Sequence, residues 1–308
     1  MKKNLIFILL IGLIVLVGFW SVFFPLNNTP EEIVFKVERG EGSREISLNL
    51  ARQGLIRWAP LFRLYVLVNG MAGDLKAGDY LFSSDMNIPE IAYKLASGQV
   101  IKINVTIPEG FTQKQIEDRL NLVLPGEELE GFLFPDTYEF NFGFTAEEAV
   151  KKMKENFETK LTEQMRQDIL SQNKAILEIV TMASLIEKEV ISLADKKIVS
   201  GVLWKRLSVG MPLQVDATLA YLSGQQDWTF DEMRQEIASW KEIDSPYNTY
   251  KYLGLPPGPI CNPGLDSIVA AIYPQESVYW YYLSTPEGDT VFNETLAGHN
   301  AARARYFK

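Results

Sequence analysis

The feature that most constrains this chain is an uncharged run of 20 residues, Leu5 to Phe24, which follows Lys2 and Lys3. About 20 apolar residues in a helix suffice to cross the hydrocarbon core of a bilayer. The run is longer than the core of a usual secretion signal, and no clear small-x-small cleavage site follows it. The sequence therefore predicts a single-pass membrane anchor through residues 5–24, with a cleaved signal peptide as the alternative.

The flanking charges predict how this anchor is oriented. Positively charged residues beside a span are retained in the cytoplasm, so Lys2 and Lys3 should stay there. We expect the N-terminus to be cytoplasmic, the span to lie in the cell membrane, and residues after about 28 to be extracytoplasmic. A protein held at that surface meets lipid, peptide, glycan and cell-wall substrates.

Composition argues against several classes of partner and site. The formal net charge is −9 and no basic stripe is visible, so nucleic acid is not an expected partner. The single cysteine, Cys261, excludes an internal disulfide framework and a cysteine-rich metal site. With His299 as the single histidine, a zinc site of several imidazoles is excluded as well. We expect no metal and no cofactor.

The pattern of elements after the anchor predicts an α+β protein of two parts. Short strands flank short helices over residues 33–107, which is typical of a small α+β domain. Residues 108–308 predict a larger mixed α/β domain, rich in helices. The expected division is 1–28 for the cytoplasmic tip and anchor, 29–107 for the small domain and 108–308 for the larger one.

Lys174 to Val190 predicts a central helix that ends in a candidate acid. Ile176, Val180 and Ala183 recur at helical spacing, and Glu187 is the next position on their face. Burying a charged carboxylate is costly, so the pKa of Glu187 should rise and make it a usable general acid. Two other interpretations remain: the head of Glu187 can lie in water at the helix end, or pair with a lysine such as Lys188.

Seven segments together resemble one family. They are VTIPEGFT at 105–112, EGFLFPDTY at 130–138, MASLIEKE at 182–189, GMPLQVDAT at 210–218, SPYNTY at 245–250, GLPPGPICNPG at 254–264, and the F-x-x-T-x-x-x-H-N run from Phe292 to Asn300. In this order and spacing they are similar to the membrane-anchored endolytic murein transglycosylases, the YceG-like (MltG) family. Each segment is weak by itself, but seven in order are highly specific.

The resemblance implies an activity. Members cleave nascent peptidoglycan strands internally, between N-acetylmuramic acid and N-acetylglucosamine, and leave 1,6-anhydro-muramyl ends. It also implies that residues 29–107 form a LysM-like domain, that 108–308 are catalytic, and that Glu187, the first glutamate of the EKE run, is the catalytic acid. Peptidoglycan strands are the implied substrate and peptidoglycan synthases are candidate partners. Cys261 departs from the small residue expected in its loop.

This chemistry needs one carboxyl group. Ordinary glycoside hydrolysis uses two carboxylates at defined separations. An anhydro-forming enzyme can protonate the leaving oxygen with one acid, after which the C6 hydroxyl of the sugar attacks C1 and returns its proton to the same group. Glu187 can therefore be the sole acid and base.

The family segments supply candidates for binding the glycan. Gln214 and Asp216 lie two apart before a helix, and either bind sugar, with Asp216 orienting Glu187, or Asp216 is an N-cap. Tyr247, Asn248 and Tyr250 combine aromatic faces with an amide, which suits a sugar, although turn and core roles are the alternative.

Other polar residues of these segments have competing interpretations. Asn262 is either a cleft ligand or the start of an Asx turn. Glu178 and Glu189 are predicted to be solvated helix charges, and His299 and Asn300 to be structural.

Two rival functions remain open at this stage. A muramidase would add water across the same bond, with Asp216 as its second carboxylate. A non-catalytic scaffold would hold wall strands for a synthase complex, although a binder has no use for a proton donor.

Overall fold

The computed structural model describes residues 2–27, 29–127, 129–224 and 236–307. The chain divides into two compact units, Met1–Asn104 with Glu139–Phe144, and Val105–Tyr138 with Thr145–Lys308. The chain contains both helices and short paired strands, so the mixed α+β class predicted from the sequence is confirmed.

The small unit begins with the predicted apolar helix and continues as a pair of strands with three helices. Its elements are α1 (Lys2–Phe23), β1 (Glu32–Val37), α2 (Ser43–Arg52), α3 (Ala59–Val68), β2 (Gly78–Ser83) and α4 (Ile88–Ser97). Within α1, Asn4–Phe23 is long and apolar enough to cross a membrane. Strands β1 and β2 pair antiparallel, with Glu32 opposite Ser83 and Val37 opposite Gly78.

The core of the small unit lies between this strand pair and three helices. Phe35 and Phe82 extend from the two strands with ring centroids 5.6 Å apart, and both are completely buried. Ile46, Phe62 and Ile91 cover them from α2, α3 and α4. The alternation of each strand therefore places one face in the core, as the sequence pattern predicts.

The remaining elements are four short strands and a set of helices. They are β3 (Lys102–Thr106), α5 (Gln113–Leu120), β4 (Thr137–Asn141), α6 (Ala146–Lys160), α7 (Glu163–Ser171), α8 (Ile176–Glu189), α9 (Leu193–Ser208), α10 (Asp216–Ser223), α11 (Leu265–Ile272), β5 (Tyr281–Ser284), β6 (Thr290–Asn293) and α12 (Leu296–Tyr306). Strand β3 pairs with β4, and β5 with β6.

Side-chain caps explain where several of these helices begin. The Thr112 hydroxyl accepts from the Gln115 amide, and the Gln115 side chain accepts from the Thr112 amide, which is the capping box predicted from the sequence. Thr145 opens α6 with Glu148 in the same way. The helix predicted over residues 228–240 lies partly outside the described residues, and 236–240 are helical.

Helix α8 is the centre of the larger unit. The eight residues from Ile179 to Ile186 within this helix are all buried, and α7, α9, α10 and α11 pack around it. A helix covered on all sides shows no single apolar stripe. Val180 and Ala183 are buried as predicted, and Glu187 continues their face with a side chain that is 9% exposed. The other faces of residues 179–186 are buried as well, so periodicity does not single out one face of α8.

Candidate active site

The C-terminal end of α8 presents two glutamates in different directions. Glu187 and Glu189 are two residues apart, so their side chains leave the helix about 200° from each other. One carboxyl group is fixed inside the protein and the other faces a large cavity. This difference decides which of the two can meet a substrate.

Glu187 is held by three donors. Its oxygens accept from Lys196 Nζ at 3.2 Å, the Gly264 amide at 3.0 Å and Ser267 Oγ at 2.6 Å. The side chains of Lys196 and Glu187 are 4% and 9% exposed. Glu187 therefore forms a buried ion pair, as one interpretation of the sequence allowed, although the partner is Lys196 of α9 rather than Lys188. The network ties α8 to α9 and to the start of α11.

A cavity of about 1270 Å³ opens beside the end of α8 in the larger unit. It is bordered by α5, α10, the β5 strand and α12. Polar and aromatic lining residues from these elements include Gln113, Gln115, Glu130, Lys188, Glu189, Arg206, Gln214, Asp216, Tyr221, Tyr250, Tyr281, Tyr282, His299, Asn300 and Arg303. Glu187 is not among the lining residues.

Glu189 places a weakly acidic carboxyl group in this cavity. Burial raises its pKa to about 7, and the negative charge of Asp216 adds to the effect. The Tyr282 hydroxyl, the Arg206 charge and the Ala217 amide act in the opposite direction, because they favour the carboxylate. The prediction that Glu189 is a solvated helix charge is therefore wrong, whereas Glu178 is exposed at the first turn of α8 as predicted.

Asp216 and Tyr250 stand next to Glu189 and hydrogen-bond to each other. The Tyr250 hydroxyl donates to Asp216 Oδ1, and burial followed by the Asp216 charge raises the pKa of Tyr250. Lys241 Nζ lies 4.2 Å from the centre of the Tyr250 ring. Asp216 is the first residue of α10 and Val215 is its N-cap, so the N-cap interpretation of Asp216 is wrong.

Gln214 also lines the cavity, in an unusual backbone conformation. Its φ of 52° lies in the left-handed region, which non-glycine residues rarely adopt. The conformation is held by the Gln214 amide, which donates to the Thr249 carbonyl, and by the Val215 amide, which donates to Thr249 Oγ1. The backbone of Gln214 is therefore fixed just before α10, and its exposed side chain extends from a point two residues before Asp216.

Tyr247 and Asn248 are not among the residues that line the cavity. Tyr247 packs its ring 5.3 Å from that of Tyr221. Asn248 is completely buried, where its Nδ2 donates to the carbonyls of Lys241 and Ile243. Both residues shape the loop that carries Tyr250. This arrangement agrees with the alternative interpretation of the sequence, in which they have turn and core roles.

Asn262 is also completely buried, and it joins three segments. Its Oδ1 accepts from the Leu133 amide, while its Nδ2 donates to the Phe111 carbonyl and to Glu130 Oε1, all at 2.8–3.0 Å. The predicted role as a cleft ligand is therefore not what the geometry supports. Asn262 holds the walls of the cavity together.

Glu130 is a second carboxyl group in the cavity that sequence reasoning missed. Burial raises its pKa to about 7, although the Gln113 amide and the Lys188 charge favour its ionised form. Both of its oxygens accept from the Gln113 amide at the start of α5, at 3.0 and 3.1 Å. The first residue of the EGFLFPDTY segment was the available signal.

His299 and Asn300, predicted to be structural, also line the cavity. The His299 ring stacks on Tyr281 with centroids 5.5 Å apart. Burial, then the charges of Arg303 and Arg206, lower its pKa, so the imidazole is neutral at pH 7.

Comparisons with known proteins agree with the segments found in the sequence. The model of the YceG-like family matches residues 35–305. An endolytic murein transglycosylase of Bacillus subtilis is 30% identical, over 93% of this chain and 88% of that protein. One from Streptococcus pneumoniae D39 is 27% identical over 89% of this chain, which spans 58% of the pneumococcal protein.

A solved structure is similar over nearly the whole fold. The crystal structure of a yceG-like protein from Listeria monocytogenes has 31% sequence identity and a TM-score of 0.58, and the match covers 89% of this chain and 100% of that one. The family model and the Bacillus relative each extend over most of the chain. The protein described above is a member of the YceG-like family.

Proposed function

We propose that this protein is an endolytic lytic transglycosylase that cleaves peptidoglycan glycan strands, with Glu189 as its acid and base. The observation that carries the proposal is the Glu189 carboxyl group, which faces a 1270 Å³ cavity with a pKa raised to about 7. Relatives named endolytic murein transglycosylases support the choice of substrate.

The proposed reaction uses Glu189 twice. Protonated Glu189 gives its proton to the glycosidic oxygen as the bond from C1 of N-acetylmuramic acid to that oxygen breaks. The C6 hydroxyl oxygen of the same sugar then bonds to C1, and its proton passes to the Glu189 carboxylate. The product is a 1,6-anhydro end, and the enzyme returns to its starting protonation state.

The neighbours of Glu189 suit this cycle. Asp216 raises the pKa of Glu189, which favours the proton donor. The Tyr282 hydroxyl and the Ala217 amide bond to the carboxylate, which stabilises it after the proton has left. Tyr250 and Gln214, fixed beside Asp216, offer an aromatic face and an amide to the sugar.

Glu187, the acid expected from the sequence, is the competing assignment. Its carboxyl group already accepts three hydrogen bonds, one of them from the buried Lys196, and is fixed inside the protein. It has no place on the cavity surface. We therefore assign it a structural role and keep it as the alternative that the experiment tests.

The remaining parts of the proposal concern location and domain roles. We place α1 in the cell membrane with the N-terminus in the cytoplasm, so that the larger unit works on nascent strands outside. The small unit is proposed to be LysM-like, and the larger one to be catalytic. Peptidoglycan synthases remain candidate partners.

The test is a mass spectrum of uncross-linked glycan strands after incubation with the full chain in detergent. We expect new muramyl ends that lack one water, and a loss of 10²-fold or more in rate for Glu189→Gln, the range for removal of a general acid. Glu178→Gln is the matched control, because it lies on the same helix and keeps the capping box.

Three results would change the proposal. Full activity in Glu189→Gln with loss in a folded Glu187→Gln would return the acid to Glu187. Ends that carry the water would make the enzyme a muramidase, with Asp216 as the candidate second carboxylate. Strands that are retained but never cut would favour the scaffold.

A further inference from the structure

The last turn of α1 is built into the small unit. Val22 packs against the core of that unit. The Arg57 guanidinium donates to the carbonyls of Phe24 and Pro25, at 3.2 and 3.0 Å, and lies 3.9 Å over the Trp20 ring. The small unit therefore starts where the apolar helix ends, and little free linker separates them.

This attachment fixes the depth of the small unit. The apolar stretch Asn4–Phe23 has 20 residues, which at 1.5 Å each gives about 30 Å, the thickness of the hydrocarbon core. If α1 spans the bilayer, its final turn lies at the boundary between hydrocarbon and headgroups. Whatever packs beside that turn lies at the same depth.

Helix α3 packs against α1 and has an apolar exposed face. Its buried side consists of Ala59, Phe62 and Val66. The opposite side carries four exposed apolar residues, Pro60, Leu64, Leu67 and Val68. The last three are 56%, 67% and 75% exposed. A helix facing water normally carries polar side chains on that side.

Aromatic and cationic residues surround this apolar face. Trp58 is 51% exposed just before α3, and Tyr93 is 60% exposed on α4, which also packs against α1. Arg63 is the exposed charged residue within α3. Trp and Tyr favour the membrane–water interface, and Arg is attracted to anionic headgroups.

From this arrangement we infer that the exposed face of α3 docks into the interfacial layer of the bilayer that α1 crosses. The partner is lipid, because the face continues from the spanning helix and its rim has the composition of an interfacial belt. The inference rests on the membrane anchoring proposed above. Two attachments, α1 and α3, then hold the small unit at one fixed tilt.

The test measures where single spin labels lie in the full chain, reconstituted in nanodiscs of phosphatidylcholine and phosphatidylglycerol. The native thiol of Cys261 is completely buried and its pKa is raised by burial, so it should not react with the label. Labels are placed by Leu67→Cys on α3, Leu16→Cys within the span and Lys36→Cys on β1. Collisions with oxygen report lipid, and collisions with a water-soluble nickel chelate report water.

We expect the Leu67→Cys label to resemble the Leu16→Cys label. Its ratio of oxygen collisions to nickel-chelate collisions should be at least three times that of the Lys36→Cys label. A label at 67 as accessible to the nickel chelate as the label at 36 would overturn the inference. So would a label shielded from both reagents, because that result would mean that protein covers α3.

A second experiment separates this inference from the proposed catalysis. The variant Leu64→Ser, Leu67→Ser, Val68→Ser should make a Trp58→Cys label at least threefold more accessible to the nickel chelate. Val123→Ser, at an exposed apolar residue of the larger unit, is the control and should leave that label unchanged. These readouts need no glycan cleavage, so they stand or fall independently of Glu189.

Discussion

Glu187 and Glu189 differ in what surrounds their carboxyl groups, although the same helix and the same EKE run carry both. Glu187 meets a lysine, an amide and a hydroxyl, which all donate hydrogen bonds to its carboxyl group. Glu189 is buried and lies near the negative charge of Asp216, and both effects favour its protonated form. Each environment has a consequence for stability that can be measured.

The first prediction concerns the pH dependence of stability in Glu189→Gln. The pKa of Glu189 is about 7 in the folded protein and near 4.5 when unfolded, so the folded state binds more protons between these values. The free energy of unfolding of the parent therefore falls as pH rises from about 4.5 to about 7. We expect the free energy of unfolding of Glu189→Gln to rise relative to that of the parent over this window, by up to about 3 kcal/mol at pH 8.

Urea denaturation at pH 5, 6, 7 and 8 checks this prediction. The exposed Glu178→Gln should show no such pH-dependent difference from the parent. An offset for Glu189→Gln that stays constant across the series would contradict the raised pKa.

The second prediction is a coupling between Glu187 and Lys196. Removing one partner of a buried ion pair costs about 3–5 kcal/mol, because the other charge stays buried without compensation. We expect Glu187→Ala to destabilise by this order and Glu187→Ala/Lys196→Ala to cost much less than the sum of the single variants. The check is a double-mutant cycle by urea denaturation at pH 7, and additive costs would argue against the pair.

At this scale the sequence identified part of the cavity. Gln214, Asp216 and Tyr250 were proposed from the family segments as glycan-binding candidates. All three line the cavity. Glu189 could not be separated from Glu187 by periodicity, since residues 179–186 of α8 are buried on every side. Glu130 owes its raised pKa to burial by segments distant in sequence, which no local pattern reveals.

At the scale of elements, α9 depends on a close approach at Gly201. A Cβ atom built there would lie 2.0 Å from the Gln275 carbonyl oxygen, inside any real contact distance. The loop after α11 is held at this point, because the Gln275 amide donates to the Lys197 carbonyl at 2.9 Å. Glycine is thus required by packing, although it is a poor helix residue.

The third prediction follows from that contact. Alanine usually stabilises a helix by about 1 kcal/mol relative to glycine. We expect Gly201→Ala instead to destabilise by about 2 kcal/mol, because overpacking against a backbone atom moves the helix or the loop. Thermal unfolding followed by circular dichroism measures the sign, with Ser208→Ala at the exposed end of α9 as the control. A rise in melting temperature for Gly201→Ala would exclude the close approach.

Helix and strand positions were predictable where the signal was local. Thr112 and Thr145 begin helices because their hydroxyls accept a hydrogen bond from the amide three residues later. A threonine followed three residues later by Gln or Glu is a local pattern, so these starts were predictable. The β1 and β2 strands follow from the alternation of buried and exposed residues in an antiparallel pair. Residues 129–136 gave no such signal, because buried Asn262 and Glu130 determine their path across the larger unit.

At the scale of the whole molecule, the residues that the structure describes form two hydrophobic cores. One surrounds Phe35 and Phe82 in the small unit, and the other surrounds α8. Cores that share few residues unfold as separate cooperative units. The anchor is attached to the first core, since Val22 packs there and Arg57 holds the end of α1.

The fourth prediction is that loss of the anchor destabilises one unit and spares the other. Calorimetry of the full chain in detergent should show two transitions, and deletion of residues 1–24 should lower that of the small unit by about 2 kcal/mol, the order of burying one valine side chain. The transition of the larger unit should keep its midpoint, because α1 belongs to the other core. Phe35→Leu, which loosens the small core directly, marks which transition is which. A single transition in the full chain, or an equal shift of both on deletion, would mean that the two cores fold as one.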